Sequence, residues 1–251
     1  MEATKIGKRV YADTSGEGRG NIGAIELPNY TIVIDSTIST ETAKAFRKSL
    51  EAQTKSPVRK LILTHYHSDH TNGLQVFKDC EIIASQPLKK LRKAVHPTKT
   101  FEKTFTLKDE DVPVKITLAG GHTEDSIYIY LPTEKTLFSG DLIFAKSFFY
   151  AGDPTFNPEK WVDVLKHFTT MEVETIVPGH GPICGMEEVE IYIEFFEKAS
   201  SIMRELVQKG VKEKEAVRYA GFPDFYPPYR KGVRELALTN WFRFYKQKAE
   251  M

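Results

Sequence analysis

Leu61-Ile62-Leu63-Thr64 is a short apolar run that stops at His65-Tyr66-His67-Ser68-Asp69-His70. Such a run reads as a buried strand, and its end is a place that the backbone holds still. Side chains two apart on extended backbone share a face, so His65 and His67 can converge on one point. Asp69 and His70 follow where the chain leaves the strand and can reach a second point nearby. Imidazole and carboxylate are preferred ligands of zinc and similar divalent ions. Three of the chain's seven histidines lie in this one cluster, which argues against a polar loop that merely caps its own backbone.

The flanking sequence alternates strands and helices, as in a layered α/β protein. Residues 10–12, 21–27 and 30–35 read as strands. The first two flank a loop, 13–20, whose three glycines allow close approach to a ligand. Residues 40–53 carry a helical stripe of Ala43, Phe46 and Leu50, with Ser39 or Thr40 as cap. After the histidine cluster, 71–77 reads as a short helix whose N-terminus aims N–H groups at the site. A strand over 80–84, a helix over 86–95 and a polar connection through His96 and Pro97 come next. His96 reads as a surface-loop residue and His167, inside the helix 158–169, as exposed or packed.

Three more strand ends carry ligand-type residues. Residues 112–118 lead to Gly120-Gly121-His122, residues 136–138 to Ser139-Gly140-Asp141, and residues 174–177 to Pro178-Gly179-His180-Gly181-Pro182. Glycines beside each allow sharp turns and close backbone approach. His65, His67 and His122 form one set of three, the number that leaves a tetrahedral ion an open position. Asp69, His70 and His180 form a second set, and Asp141 is a spare carboxylate able to bridge them. Two ions about 3.5–4 Å apart that share a hydroxide are a known hydrolytic device, and they bring the water pKa from 15.7 to about 7. No G-x-S-x-G elbow offers an alternative nucleophile. Asp69 is the expected catalytic residue, holding the hydroxide for attack.

With 251 residues, 41% hydrophobic and 27% charged, the chain fits one large globular domain or a domain with an appendage. A net charge of +1 gives no electrostatic case for nucleic acid as the partner. The expected partner is a small-molecule substrate. No apolar run reaches membrane-spanning length and no secretory h-region opens the chain, so the cytoplasm is the expected compartment. Cys80 and Cys184 are expected to be buried thiols rather than a disulfide. After Met186 the composition turns helical, with helices over 187–208, 212–220 and 231–248 around an aromatic, proline-rich stretch, 222–230. That stretch reads as packing or a homodimer contact, with a substrate wall including Tyr226 as the sharper alternative.

Thr64-His65-Tyr66-His67-Ser68-Asp69-His70, Gly121-His122-Thr123, Ser139-Gly140-Asp141 and Pro178-Gly179-His180-Gly181 together resemble the metallo-β-lactamase superfamily. The resemblance implies a four-layer αββα sandwich over residues 1–185 with a helical C-terminal extension over 186–251. It implies two divalent ions where the sheets meet, zinc in most members and iron or manganese in some. The implied activity is hydrolysis of an ester, thioester, lactone or related bond, with weak promiscuous β-lactamase activity. His122-Thr123-Glu124-Asp125-Ser126 is similar to the stretch in zinc β-lactamases, which carry cysteine where this chain has Asp141. Glyoxalase II proteins share all seven ligands and add a helical C-terminal region, but their basic glutathione-binding segment is not recognisable in 142–153. Quorum-quenching lactonases place tyrosine where this chain has Phe144. Phe144, Lys146 and Tyr226 are the candidate substrate contacts, Lys146 as an anchor for carboxylate or phosphate. An iron-dependent persulfide dioxygenase and an RNA-processing nuclease are the alternative activities.

Overall fold

The computed structural model describes residues 1–250. Two sheets stack face to face with helices on both outer faces. The first sheet has the order β1 (Thr4–Lys5), β2 (Val10–Asp13), β3 (Ile22–Glu26), β4 (Thr31–Ile34), β5 (Val58–Ile62), β6 (Glu81–Ser85), β7 (Lys99–Phe101). It is antiparallel from β1 to β4 and parallel from β4 to β7. The second sheet has the order β12 (Thr175–His180), β11 (Thr136–Phe144), β10 (Ile127–Leu131), β9 (Val112–Leu118), β8 (Thr104–Asp109). Only its β11–β12 pair is parallel.

Alternation along the strands divides the core. Ile32, Ile34 and Ile62 point inward and meet Ile116, Ile129, Phe138 and Val177 of the second sheet. Val33, Leu61 and Leu63 point outward, against Ala43, Phe46 and Leu50 of α1 (Thr40–Glu51) and Leu88 of α3 (Gln86–Leu91). The α1 stripe is the one expected, and Ser39 caps it by accepting from the Thr42 N–H. On the other side, Tyr128, Tyr130 and Leu137 pack on α4 (Pro158–Phe168) and on the helices that follow it. The order of layers is αββα, the architecture expected from the resemblance.

The helix expected over 86–95 ends at Leu91, and larger departures from the sequence reading lie elsewhere. Helix geometry begins at Ser68, so α2 (Ser68–Thr71) contains Asp69 and His70, and the residues after Gly73 form only a 3-10 turn, Leu74–Phe77. The strand β5 ends at Ile62, so His65 and His67 are carried by the loop beyond it rather than by strand alternation. The connection after Pro97 contains β7 and β8, each the edge of its sheet. Half-exposed edge strands need no continuous apolar run, and that is why the lysine- and threonine-rich sequence hides them. Cys80 is buried as expected, Cys184 is only half-buried, and both are free thiols. No helix is long and apolar enough to cross a membrane among the described residues.

The C-terminal helices α5 (Met186–Gln208), α6 (Glu213–Val217) and α7 (Val233–Ala249) are not a separate body. Phe195, Phe196 and Trp241 share one aromatic cluster with Phe149 and Trp161 from the second sheet's side. The Trp241 indole N–H donates to Ser200 Oγ at 3.2 Å, and the Asn240 amide donates to the Ala151 carbonyl at 2.8 Å. Truncating a fully buried tryptophan costs about 3–5 kcal/mol. Trp241→Ala is therefore expected to lower the urea midpoint while sandwich and tail still unfold in one transition, as followed by circular dichroism and tyrosine fluorescence together.

Candidate metal centre

Thr64 is held from both sheets. Its N–H and hydroxyl donate to the two oxygens of Asp35 at 2.7 Å each, and its carbonyl accepts from the Ile127 N–H at 2.9 Å. The next residue, His65, is thereby fixed at the edge where the sheets meet. His122 arrives from the loop after β9, Asp141 from within β11 and His180 from the end of β12. All seven expected residues come together in two adjoining groups: His65, His67, His122 and Asp141 in one, Asp69, His70 and His180 in the other, with donor atoms within 4.8 Å inside each group. His65, His70, His122 and Asp141 are buried.

The hydrogen bonds determine which nitrogen of each ring is bare. A carbonyl can only accept, so His122 Nδ1 carries the proton it gives to the Tyr150 carbonyl at 3.1 Å. His67 Nε2 faces Asp153 Oδ2 at 3.2 Å and His70 Nδ1 faces Asp35 Oδ2 at 2.8 Å, and each donates to that carboxylate. What remains unprotonated is His122 Nε2 opposite His67 Nδ1 at 3.1 Å, while in the other group His70 Nε2 and His180 Nε2 lie 3.5 Å apart. Two lone pairs that close repel unless a proton or a cation lies between them. Zinc–nitrogen bonds of 2.0–2.1 Å at the tetrahedral angle put ligand nitrogens roughly 3.3 Å apart. His65 Nε2 and Asp141 Oδ1 are buried and make no well-formed hydrogen bond, although His70 Nε2 lies 3.1 Å from that oxygen. The donor set fits divalent metal.

Asp141 presents one oxygen to each group. Its Oδ2 lies 3.5 Å from His65 Nε2 and 3.4 Å from His122 Nε2, and its Oδ1 lies 3.1 Å from His70 Nε2 and 3.3 Å from His180 Nε2. Burial alone would raise this carboxyl, but His70, His180 and His65 hold it well below the usual carboxylate range. Burial keeps His122 neutral and lowers His65 to about 3, the form in which imidazole binds metal. Against burial, Asp141, Asp35 and Asp69 raise His70 well above the usual imidazole range. Two glycines permit the crowding: a Cβ on Gly179 would run into Asp141 Oδ1, and one on Gly20 would lie 2.7 Å from His70 Cε1. Asn21 ties that N-terminal loop down by donating from its amide to the Pro178 and Gly181 carbonyls at 2.9 and 2.8 Å.

A family model described as the metallo-beta-lactamase superfamily matches residues 15–180. The chain belongs to this superfamily. Among curated relatives it is 29% identical over 203 residues to the beta-lactamase-like protein 2 homolog of Caenorhabditis elegans, covering 77% of this chain and 65% of that one. It is 26% identical to the metallo-beta-lactamase type 2 of Bacillus cereus, covering 73% of this chain and 77% of that one. Among solved structures, a metallo-beta-lactamase from Pontibacter korlensis superposes with a TM-score of 0.70 at 21% identity, over 78% of this chain and 98% of that one. The stereoselective inverting sec-alkylsulfatase of Pseudomonas sp. superposes with a TM-score of 0.82 at 14% identity, over 97% of this chain and 50% of that one. These superpositions establish the metallo-β-lactamase fold, and the second spans the C-terminal helices as well.

The superfamily site opens into a cavity of about 770 Å³ lined by His67, Asp69, Asp141, Phe144 and His180 at its floor and by Arg19, Tyr150, Tyr229 and Arg230 higher up. Phe144 stacks flat on His180, with ring centroids 4.7 Å apart. Lys146 and Tyr226 are elsewhere: Lys146 Nζ pairs with buried Glu188 at 2.9 Å and donates to the Tyr226 hydroxyl at 3.1 Å, so neither lines the cavity. His96 and His167 lie outside both donor groups. The sequence reading did not single out Asp35 or Asp153. Asp35 follows an apolar strand just as Asp141 does, and that position was its signal. Asp153 had none. Its carboxylate also accepts from Tyr66 and from the Thr155 hydroxyl at 2.5 Å, and despite burial His67, Thr155 and Tyr66 hold it below the usual carboxylate range.

Two outcomes follow from this inner layer. Partners that orient a metal-binding imidazole are worth about 10–100-fold in metal affinity. Asp153→Ala is expected to weaken metal uptake by that factor in a chelator competition, with the fold retained by circular dichroism. Asp125 is a buried carboxyl whose oxygens make no well-formed hydrogen bond, and burial, only partly offset by Thr123, raises it to about 7. Its folded form therefore binds the extra proton, and stability falls as pH rises from the usual 3.8 through 7. In the metal-free protein Asp125→Asn should gain on the parent across that window, by roughly 4 kcal/mol at most. Thermal melts at pH 4 to 8 would show a gap that opens with pH and is level above it.

Proposed function

We propose that this superfamily member is a dinuclear metallohydrolase that cleaves an ester, thioester, lactone or related bond in a small molecule. The observation that carries the reading is Asp141, with one carboxylate oxygen facing each of two donor groups. His65 Nε2, His67 Nδ1 and His122 Nε2 would hold one ion, and Asp69, His70 and His180 the other, with Asp141 between them. An imidazole-rich set with carboxylates suits zinc, and iron or manganese would also be accepted by it. Divalent ions bound there supply hydroxide at neutral pH and polarise the bond to be cut.

The chain's own groups do the rest. Asp69 is a quarter exposed, on the cavity side, and its Oδ2 lies 3.4 Å from His180 Nε2. That carboxylate is placed to accept a proton from the attacking water and to pass it to the leaving group. Asp35, Asp153 and the Tyr150 carbonyl keep the three rings in register, so no imidazole has to turn during turnover. The Phe144 ring shields one face of His180 from water. Two donor groups rather than one favour this reading over a single-iron dioxygenase. The curated relatives named as β-lactamases put β-lactams in the panel of substrates to be tried, and the linear primary-alkylsulfatase of Pseudomonas sp., 20% identical over 84% of this chain, adds sulfate esters.

Asp141→Ala removes a direct donor and should cost more than the roughly 100-fold that an outer partner does. The expected result is loss of kcat/KM by at least that factor on whichever of lactone, thioester, β-lactam, sulfate ester or phosphodiester the parent hydrolyses, with metal content below two ions per chain by elemental analysis. A variant that keeps two ions and full activity would overturn the proposal.

A further inference from the structure

The upper cavity carries charge that the hydrolytic centre does not use. Its charged lining consists of Asp69 and Asp141, both within the donor groups, and two arginines, Arg19 and Arg230. Among the described residues neither arginine has a carboxylate within ion-pair distance. Arg47 and Arg243, by contrast, are engaged by Asp79 and Glu51 and by Glu213.

The two come from opposite ends of the chain and both are held by backbone. Arg19 sits at a φ of +62° in the loop before β3, where its N–H donates to the Gly16 carbonyl at 3.0 Å. The loop is pinned on both sides of it, by Ile38 N–H to the Gly18 carbonyl at 3.1 Å and by Gly20 against the His70 ring. Arg230 lies near the end of the strap between α6 and α7. The Phe148 N–H donates to the Pro227 carbonyl at 3.1 Å, and a bridge between Phe148 and Pro228 fixes the strap beside the segment that follows β11. Tyr229 and Tyr150 form the wall next to Arg230. The result is an acidic, metal-binding floor, an aromatic wall and a cationic rim.

We propose that Arg19 and Arg230 bind an anionic group of the substrate, a carboxylate or sulfate at the end remote from the scissile bond, and so select monoanionic esters over neutral ones. This rests on the hydrolase reading of the same cavity. Guanidinium matches a carboxylate or sulfate through paired N–H donors, and two such donors on separate segments define a length as well as a charge. A hydrogen bond to a charged group contributes about 1.5–3 kcal/mol, or roughly 10–100-fold in affinity.

The test compares 4-nitrophenyl monoesters of succinate, glutarate, adipate and suberate with neutral 4-nitrophenyl esters of equal chain length, on zinc-loaded protein. 4-Nitrophenyl esters of matched length that end in a sulfate in place of the carboxylate distinguish the two anions. The expected result is a preference of at least tenfold in kcat/KM for the anionic member at one chain length. That ratio should collapse in the Arg19→Ala, Arg230→Ala double variant, recover in part in the lysine pair and stay as in the parent in Arg243→Ala. A ratio near one in the parent, or one unchanged in the double variant, overturns the proposal and leaves the hydrolase reading standing. If none of these esters is hydrolysed, calorimetric titration of the protein with glutarate decides the proposal, and the wider substrate panel decides the hydrolase reading. Binding weakened at least tenfold in the double variant supports an anion site, and equal or absent binding overturns it.

Discussion

A single buried carboxylate organises the site. Asp141 lies within the all-buried strand β11, where an ionised side chain would be expelled if nothing compensated it. Four imidazoles face it, two for each oxygen, and His70 and His180 foremost keep it ionised against burial. Those imidazoles arrive on three segments far apart in sequence, and each must stop at a defined point for its nitrogen to face the right oxygen. The two sheets provide the stops. Thr64 is anchored to Asp35 on one sheet and to Ile127 on the other, and Gly179 lets β12 approach Asp141 more closely than any side chain would permit.

The orienting layer explains why imidazoles in a cation-binding cluster do not simply turn away from one another. Each ring with its second nitrogen engaged has lost that freedom: His67 to Asp153, His70 to Asp35, His122 to the Tyr150 carbonyl. The bare nitrogens of His67 and His122 are then forced to face each other at 3.1 Å. The protein holds the rings close at an electrostatic cost, and a bound cation removes it. Metal bound there would be coupled to folding in this way through groups that never touch the metal.

Legibility from sequence followed the same division. The seven donors could be read because each ends an apolar run, and apolar runs are the strongest local signal of where a buried element stops. Asp153 could not be read that way. It lies 86 residues from His67, in an irregular segment, and only tertiary packing brings them together. Lys146 was misleading for the complementary reason. Closeness in sequence to Asp141 suggested the cavity, but β11 ends at Phe144, the backbone at Lys146 turns to a φ of +60°, and the ammonium meets Glu188 on α5 instead. Edge strands β7 and β8 escaped because half-exposed strands are compositionally polar.

The C-terminal helices bear on function through one short piece. Most of their apolar surface is spent on the aromatic layer around Trp161 and Trp241, which is structural. Yet burying Ala216 of α6 and Val233 of α7 there fixes both ends of the strap between those helices, and the contact of Phe148 with Pro227 and Pro228 then directs Tyr229 and Arg230 over the cavity. The loop bearing Arg19 is fixed from the other side by His70 itself, through Gly20. Floor and rim therefore differ in what constrains them. At the floor Asp141 and Phe144 are buried and His67, Asp69 and His180 are partly covered, each within a donor group or packed on one. Arg19, Tyr229 and Arg230 at the rim are exposed, and Arg230 rests over the Tyr229 ring, so these side chains can vary with less cost to the fold. Selectivity in this architecture belongs to the two segments that no metal donor occupies.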